Sequence, residues 1–414
     1  MNTIQYHKLE CGLQIVTERI RGVRTAAIHW GLRAGVATNT HDGDGVLLAE
    51  MVQRGVKGLT AKQHNDALDT LGVKRHVACG VEFFQVSGVM LGSRIVEAIP
   101  LLTGYMLYPM LPEKDLPACK SLCLQSIQSL ADNPAHQTSV ALNTFHHPPP
   151  FNRTTYGDQA CIESASIERL KQVHEEAFVP EGSILVVAGD IEHQQIIDTI
   201  ECATQGWIGK LIPLQTTAQP DRGIHWIEQD SSQVHICIAL DGPNASDDKS
   251  ILESIAISVF GGATSGRLFT EVRQRRSLCY SVSAQYAASR DRSVVRISAG
   301  TTPQHGDETV NVCLEQLQEL RKGITEAEFK RAIQRMKSAT VMRGESTAAR
   351  SSAIWADQFA LGYARTLKER LQEIDSVKIK AVNAWLAERD YGQLTVVTLG
   401  PQSIAINDQL IHAT

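Results

Sequence analysis

Two hydrophobic periods alternate along the chain, one of about two residues and one of about 3.6, and they divide it into strands and amphipathic helices. Leu13-Gln14-Ile15-Val16-Thr17 and Thr25-Ala26-Ala27-Ile28-His29-Trp30-Gly31-Leu32 read as strands. Residues 43–55 read as a helix whose apolar side is Val46, Leu47, Met51 and Val52, and 60–71 as a second helix with Thr60 as its N-cap. Val73 to Val89 predicts two strands around Cys79-Gly80. Helices follow over 93–108 and 113–131, the second stopping before Asp132-Asn133-Pro134. His146-His147-Pro148-Pro149-Pro150 predicts a rigid connection, because proline fixes φ and lacks a donor. A helix over 166–177 then leads to a buried strand, Ser183 to Asp190.

Residues 205–224 carry Gly206, Gly209, Pro213, Pro220 and Gly223 with little periodicity, as a linker would. Beyond them the order starts again. Strands are predicted over 225–240, a helix over 247–260, a strand over 293–300 and helices over 306–321, 326–342, 346–361 and 376–388. The last strand, Gln393 to Gly400, mirrors Ile184–Gly189. The expectation is an α+β protein of two tandem homologous halves, each an antiparallel or mixed sheet covered by helices. The halves would be 1–204 and 225–414, joined by 205–224, and the repeat is far too long for a solenoid.

One stretch of the second half stands out. Phe260-Gly261-Gly262-Ala263-Thr264-Ser265-Gly266-Arg267-Leu268-Phe269 reads as a helix end, a glycine turn and a new helix on which Leu268, Phe269 and Val272 share a face. Tyr280, Val282 and Ala284 then alternate with Ser281 and Ser283 as in a half-buried strand. Arg273 and Tyr280 lie seven residues apart, one near a helix end and one at a strand start. By itself this pattern also suits a structural helix–turn–strand with a solvated Arg273-Gln274-Arg275-Arg276 face. The glycine run is no phosphate loop: it follows a helix and lacks the Lys-Ser/Thr end.

Composition narrows the function classes. The 414 residues are 43% hydrophobic and 21% charged with a net charge of −5, which leaves no bulk attraction to nucleic acid or to an anionic membrane. No apolar run reaches the ~18–20 residues of a membrane span. The polar start, Met1 to Lys8, does not read as a secretory signal. Nine cysteines, an odd number without metal spacing, suit free thiols in a reducing compartment, so a cytoplasmic location is expected. Cys119 and Cys123, one helical turn apart, read as two small helix residues.

Several short pieces, taken in order, resemble the two-domain subunits of the M16 (pitrilysin-like) zinc metallopeptidases. They are Gly31-Leu32-Arg33-Ala34-Gly35, Met51-Val52-Gln53-Arg54-Gly55, Ala131-Asp132-Asn133-Pro134, Val179-Pro180 before Val187-Ala188-Gly189-Asp190, Gly261-Gly262 with Arg267-Leu268-Phe269, and Arg273 with Tyr280. No single piece is specific, and together they span nearly the whole chain. The resemblance implies tandem halves of the LuxS/MPP-like fold and a zinc site of the form His-x-x-Glu-His on one helix, with a glutamate from a later helix as third ligand. That spacing has a physical logic, since residues i and i+4 share a helical face and the glutamate at i+3 sits beside the metal-bound water.

This chain lacks that motif. Registered on Met51 and Gly55, the positions of His, Glu and His hold Val46, Ala49 and Glu50, and the third-ligand position falls at Ser126 beside Gln125. A one-residue slip does not restore it. Of the fourteen histidines, His146 and His147 alone lie within four residues of each other, before three prolines, and a loop at the rim is expected for them. His76 is expected to be a surface histidine on an edge strand. The degenerate zinc-site positions Val46, Ala49, Glu50 and Ser126 thus imply no metal and no cofactor in this chain. A cryptic zinc site is the weakest reading.

The resemblance assigns a role to Arg273 and Tyr280 instead. In the family an Arg and a Tyr at this spacing bind the substrate carbonyl and steady the charge that develops on it. The expected function is that of a non-catalytic, zinc-less subunit that completes a peptide-binding chamber. A zinc-bearing M16 partner in a heterodimer would supply metal and base, and a peptide would be the substrate. The alternative is a homodimeric structural or peptide-binding scaffold with no part in catalysis.

Overall fold

The computed structural model describes residues 3–407. Its elements run β1 (Thr3–Lys8), β2 (Gln14–Arg19), β3 (Thr25–Leu32), α1 (Asp44–Met51), β4 (Gly55–Val56), β5 (Leu59–Thr60), α2 (Ala61–Thr70), β6 (Lys74–Cys79), β7 (Phe84–Leu91), α3 (Ile95–Leu107), α4 (Leu116–Ala131), α5 (Pro134–His146), α6 (Gln159–Glu163), α7 (Ile167–Ala177), β8 (Ile184–Gly189) and α8 (His193–Ala203). Then follow β9 (Ile224–Glu228), β10 (Val234–Asp241), α9 (Lys249–Gly261), a π-helical stretch (Phe269–Arg275), β11 (Cys279–Ala287), β12 (Val294–Thr301), α10 (Gly306–Leu320), α11 (Glu326–Gly344), α12 (Thr347–Leu361), α13 (Leu367–Ser376), α14 (Ile379–Glu388) and β13 (Thr395–Gly400). The fold is α+β, as the alternating periods predicted.

Two sheets repeat one topology. The first has the order β1-β2-β8-β3-β7-β6 and the second β11-β12-β10-β13-β9. Read from matching ends, β2-β8-β3-β7-β6 corresponds to β9-β13-β10-β12-β11. In each, the last strand of the half pairs parallel with one neighbour (β2 with β8, β9 with β13) and antiparallel with the other. Every residue of β8 and of β13, Thr395 and Thr398 included, is buried, as in a central strand covered on both faces.

The compact units interleave along the chain. One comprises Met1–Ser129, Pro149–Thr217 and Met342–Thr366; the other comprises Leu130–Pro148, Ala218–Val341 and Leu367–Thr414. A change of unit falls inside 205–224, but the first part of that segment is anchored rather than free. Trp207 is buried edge-on to Trp30, with ring centroids 5.7 Å apart, and its indole N–H donates to the Phe178 carbonyl.

Helix α12 closes the second face of the first sheet. Its Arg350 forms a bidentate pair with Glu18 of β2 at 2.8 Å, both side chains being almost fully buried. Its Trp355 lies against Gly31, where any Cβ would meet the indole at 2.5 Å, and donates to the Ile184 carbonyl. Helix α5 plays the same part in the other unit. Leu142 packs with Cys237, Ala239, Val294 and Val397.

The sequence reading has no helix at 134–146, and His146 does not lie in a rim loop. His146 ends α5 at 1% exposure, hydrogen-bonded through Nδ1 to Thr395 and 3.4 Å from Asp241, itself clamped by Arg222. Once α5 reaches a sheet face, the imidazole is carried into the interior with it. His76 is exposed on β6, an edge strand, as expected.

Candidate functional site

The positions that the sequence reading set against the zinc motif lie on α1 and α4 of the first unit. Val46 and Ala49 on α1 pack in the main hydrophobic cluster, Ala49 at 8% exposure. Ser126 on α4 is exposed, and its hydroxyl is spent on the Leu122 carbonyl of its own helix at 3.0 Å. Glu50 is half-buried and makes no hydrogen bond or ion pair among the described residues. What faces it is Cys119 and Cys123, at 0% and 2% exposure.

Those thiols are held neutral. Burial, and then the charge of Glu50, pushes Cys123 up to about 12. Burial also raises Cys119, against a 3.2 Å hydrogen bond from Arg54 Nε to its Sγ. Both side chains sit in the main hydrophobic cluster, where the pair acts as small apolar filling. Two apolar side chains, a lone carboxylate and a turned-away hydroxyl do not fit a zinc ion, which takes three or four N, S or O ligands in a tetrahedron. Among the described residues no group of three or more His, Cys, Asp or Glu is placed to hold a metal.

Arg273 and Tyr280 belong to the other unit, on a short segment with three backbone irregularities. Phe269–Arg275 is wound as a π-helix, a form that is rare and concentrated at functional sites. Ser277 adopts φ 54°, a left-handed conformation uncommon for a residue with a Cβ. Tyr280 is the extra residue of a β-bulge: Cys279 pairs with Thr301 and Ser281 with Gly300, which leaves Tyr280 without a partner. Bulges re-aim side chains, and strain of this kind persists only where surrounding contacts hold it.

Those contacts are present. Leu268 and Val272 are fully buried in the second core. Arg267 grips α11 through a bidentate pair with Glu328 at 2.8 and 2.9 Å and a bond to the Gly323 carbonyl. Burial alone would raise the Glu328 carboxyl, but the bonds from Arg267 and Thr325 outweigh it and hold it at about 2. The sequence singled out Arg267 without giving its job, which is to fasten the turn.

The two donors differ in state. Arg273 is exposed, its guanidinium lies over the Phe269 ring at 4.9 Å, and that side chain makes no hydrogen bond or ion pair among the described residues. Its positive charge reaches Cys279, the residue before Tyr280, and opposes the effect of burial on that thiol. Neighbouring Arg275 and Arg276 are both tied to Glu271. Tyr280 is 48% exposed, and its hydroxyl donates to Gln233 Oε1 at 2.5 Å. Burial, then the adjacent Cys279, raises the phenol above its ordinary value, so it is a protonated donor at neutral pH. Gly300 makes room for the ring: a Cβ there would lie 2.3 Å from the phenol oxygen. Sequence reasoning missed Gln233 and Gly300. Nothing in their local pattern marks them, since their relevance depends on strand pairing.

Residues 164–336 match the family model "Peptidase M16 inactive domain". An uncharacterized zinc protease of Streptomyces coelicolor is 21% identical over 93% of this chain and 86% of its own length, and one of Mycobacterium tuberculosis is 24% identical over 94% and 91%. In fold the chain is similar to a peptidase M16 inactive domain protein from Pseudomonas fluorescens (TM-score 0.86, 19% identity, 97% and 99% of the two chains). It is also similar to a chain of Complex III2 from Candida albicans (TM-score 0.82, 16% identity, 99% of each). Residues 164–336 thus carry the M16 inactive-domain match, and over nearly its whole length the chain is similar to zinc proteases and shares the fold of M16 inactive-domain proteins.

Proposed function

We propose that this chain is the zinc-less subunit of an M16-type endopeptidase. It completes a peptide-binding chamber and lends Arg273 and Tyr280 to the site of a zinc-bearing partner. The observation that carries this reading is the concentration of π-helix, left-handed Ser277 and bulged Tyr280 between residues 269 and 281. A purely structural helix–strand connection needs none of the three.

Each residue's task follows from its chemistry. A peptide carbonyl under attack gathers negative charge on oxygen, and fixed donors aimed at that oxygen lower the barrier. Arg273 offers a permanent cation free of any acidic partner among the described residues. Tyr280 offers a neutral O–H. Metal and general base belong to the partner, because Val46, Ala49 and Ser126 can serve as neither. Exposed edge strands such as β6 and β11 suit a substrate that pairs through its backbone, which implies unfolded peptides of varied sequence. The homodimeric scaffold is the competing reading, and an unpaired Arg273 beside strained backbone has no purpose in it.

The test is co-purification from the native source, with zinc analysis and a quenched peptide substrate. The reading predicts one zinc per pair of chains, none on this chain alone after dialysis, and cleavage by the pair only. A stable homodimer with no metal-bearing partner and no peptidase activity refutes it.

A further inference from the structure

The phenol of Tyr280 already has an acceptor within its own unit. To reach it, the side chain leaves the bulge in β11, crosses β12 over Gly300, and donates to Gln233 immediately before β10. Neighbouring strands lie about 4.8 Å apart, so the phenol spans the width of a strand to make this one bond. Gly300 keeps the path open, and the bulge aims the ring along it.

The acceptor is the oxygen of a carboxamide. That is the same group as a peptide carbonyl: planar, neutral, with two lone pairs beside an N–H. We propose that Gln233 is an internal stand-in for the substrate carbonyl, which occupies the Tyr280 donor at rest and is displaced when a peptide enters. The inference rests on the proposed role of Tyr280 and adds to it a competitor built into the same site. Both side chains are exposed, so the bond competes with water and stays weak enough for an incoming carbonyl to replace. At rest it holds the O–H in a donating geometry, and the phenol need not be reoriented when substrate arrives.

The experiment uses the complex with its zinc-bearing partner and a quenched fluorescent peptide. Gln233→Ala removes the competitor and lowers KM roughly three-fold, the worth of one net hydrogen bond, with the change carried by KM rather than kcat. Gln233→Glu supplies a stronger, charged acceptor and raises KM by roughly ten-fold. In a Tyr280→Phe background neither Gln233 variant changes KM. On the isolated chain, ultraviolet titration of Tyr280 gives a second readout: losing the acceptor for its O–H moves the midpoint of Gln233→Ala below that of the wild type. If Tyr280→Phe alone leaves turnover unchanged, the role of Tyr280 fails and the stand-in fails with it. If Tyr280→Phe lowers turnover while Gln233→Ala leaves KM unchanged or raises it, the stand-in is overturned and the role of Tyr280 stands.

Discussion

Two regions of this molecule sit on sheets of the same strand order and have diverged in opposite directions. Around α1 and α4 in the first unit, the positions of a metal site are closed over by Val46, Ala49, Cys119 and Cys123. Around the π-helical stretch and β11 in the second, donors are kept in the open on strained backbone. The comparison teaches that one sheet topology can carry a closed, apolar surface in one unit and exposed donors in the other. Small apolar side chains at these positions carry no desolvation cost and add packing to the first core. An unpaired Arg273 guanidinium and a left-handed Ser277 bring no stability of their own, and the proposed function gives them a purpose.

The largest effect that can test this contrast concerns the framework. Arg350→Ala leaves Glu18 as an unpaired charge at 0% exposure and should cost about 3–5 kcal/mol in urea unfolding. A small cost would mean that α12 does not clamp the first sheet. The second effect separates fold from chemistry. Gly300→Ala places a methyl against the Tyr280 phenol, whose free end can swing away. Turnover of the complex should fall by roughly 10²–10³-fold, the loss of one oxyanion donor, while the unfolding midpoint hardly moves.

A third effect is common to both units. His29 in one and His147 in the other are lowered to about 4, chiefly by burial. Each is neutral when folded and titrates near 6.5 when unfolded, so the unfolded chain binds more protons between those values. Stability is therefore intact above pH 6.5 and declines as pH falls toward 4. Denaturation midpoints of His29→Gln across that window should show a shallower decline than those of the wild type. The smallest expected effect is the sharpest for the comparison. Glu50→Gln with Ser126→Ala should change stability by no more than about 0.5 kcal/mol and leave turnover and zinc content of the complex untouched. A loss of activity would restore a role to the degenerate site.

How much of this could be read in the sequence depended on how local each cause was. Apolar runs such as Ile184–Gly189 and Thr395–Gly400 declare central strands, because burial on both faces constrains every residue. Helix α5 escaped because its apolar face serves a sheet far along the chain, and the prolines after His146 drew attention to a connection instead. Arg273 and Tyr280 could be picked out by spacing, but their role came only from the M16 resemblance. The π-winding, the bulge and the Gln233 acceptor were not visible: the first rests on packing into the second core and on α11, and the other two depend on Gly300, Thr301 and the start of β10, partners no local window contains.

The most direct measurement is kcat of the reconstituted complex when this chain carries Arg273→Ala or Tyr280→Phe, with zinc content and subunit association checked for each. The account predicts that kcat falls by about 10²-fold or more for either change while zinc and association stay as in the wild type. Turnover equal to the wild type in both variants would contradict it and leave the chain with a structural role only.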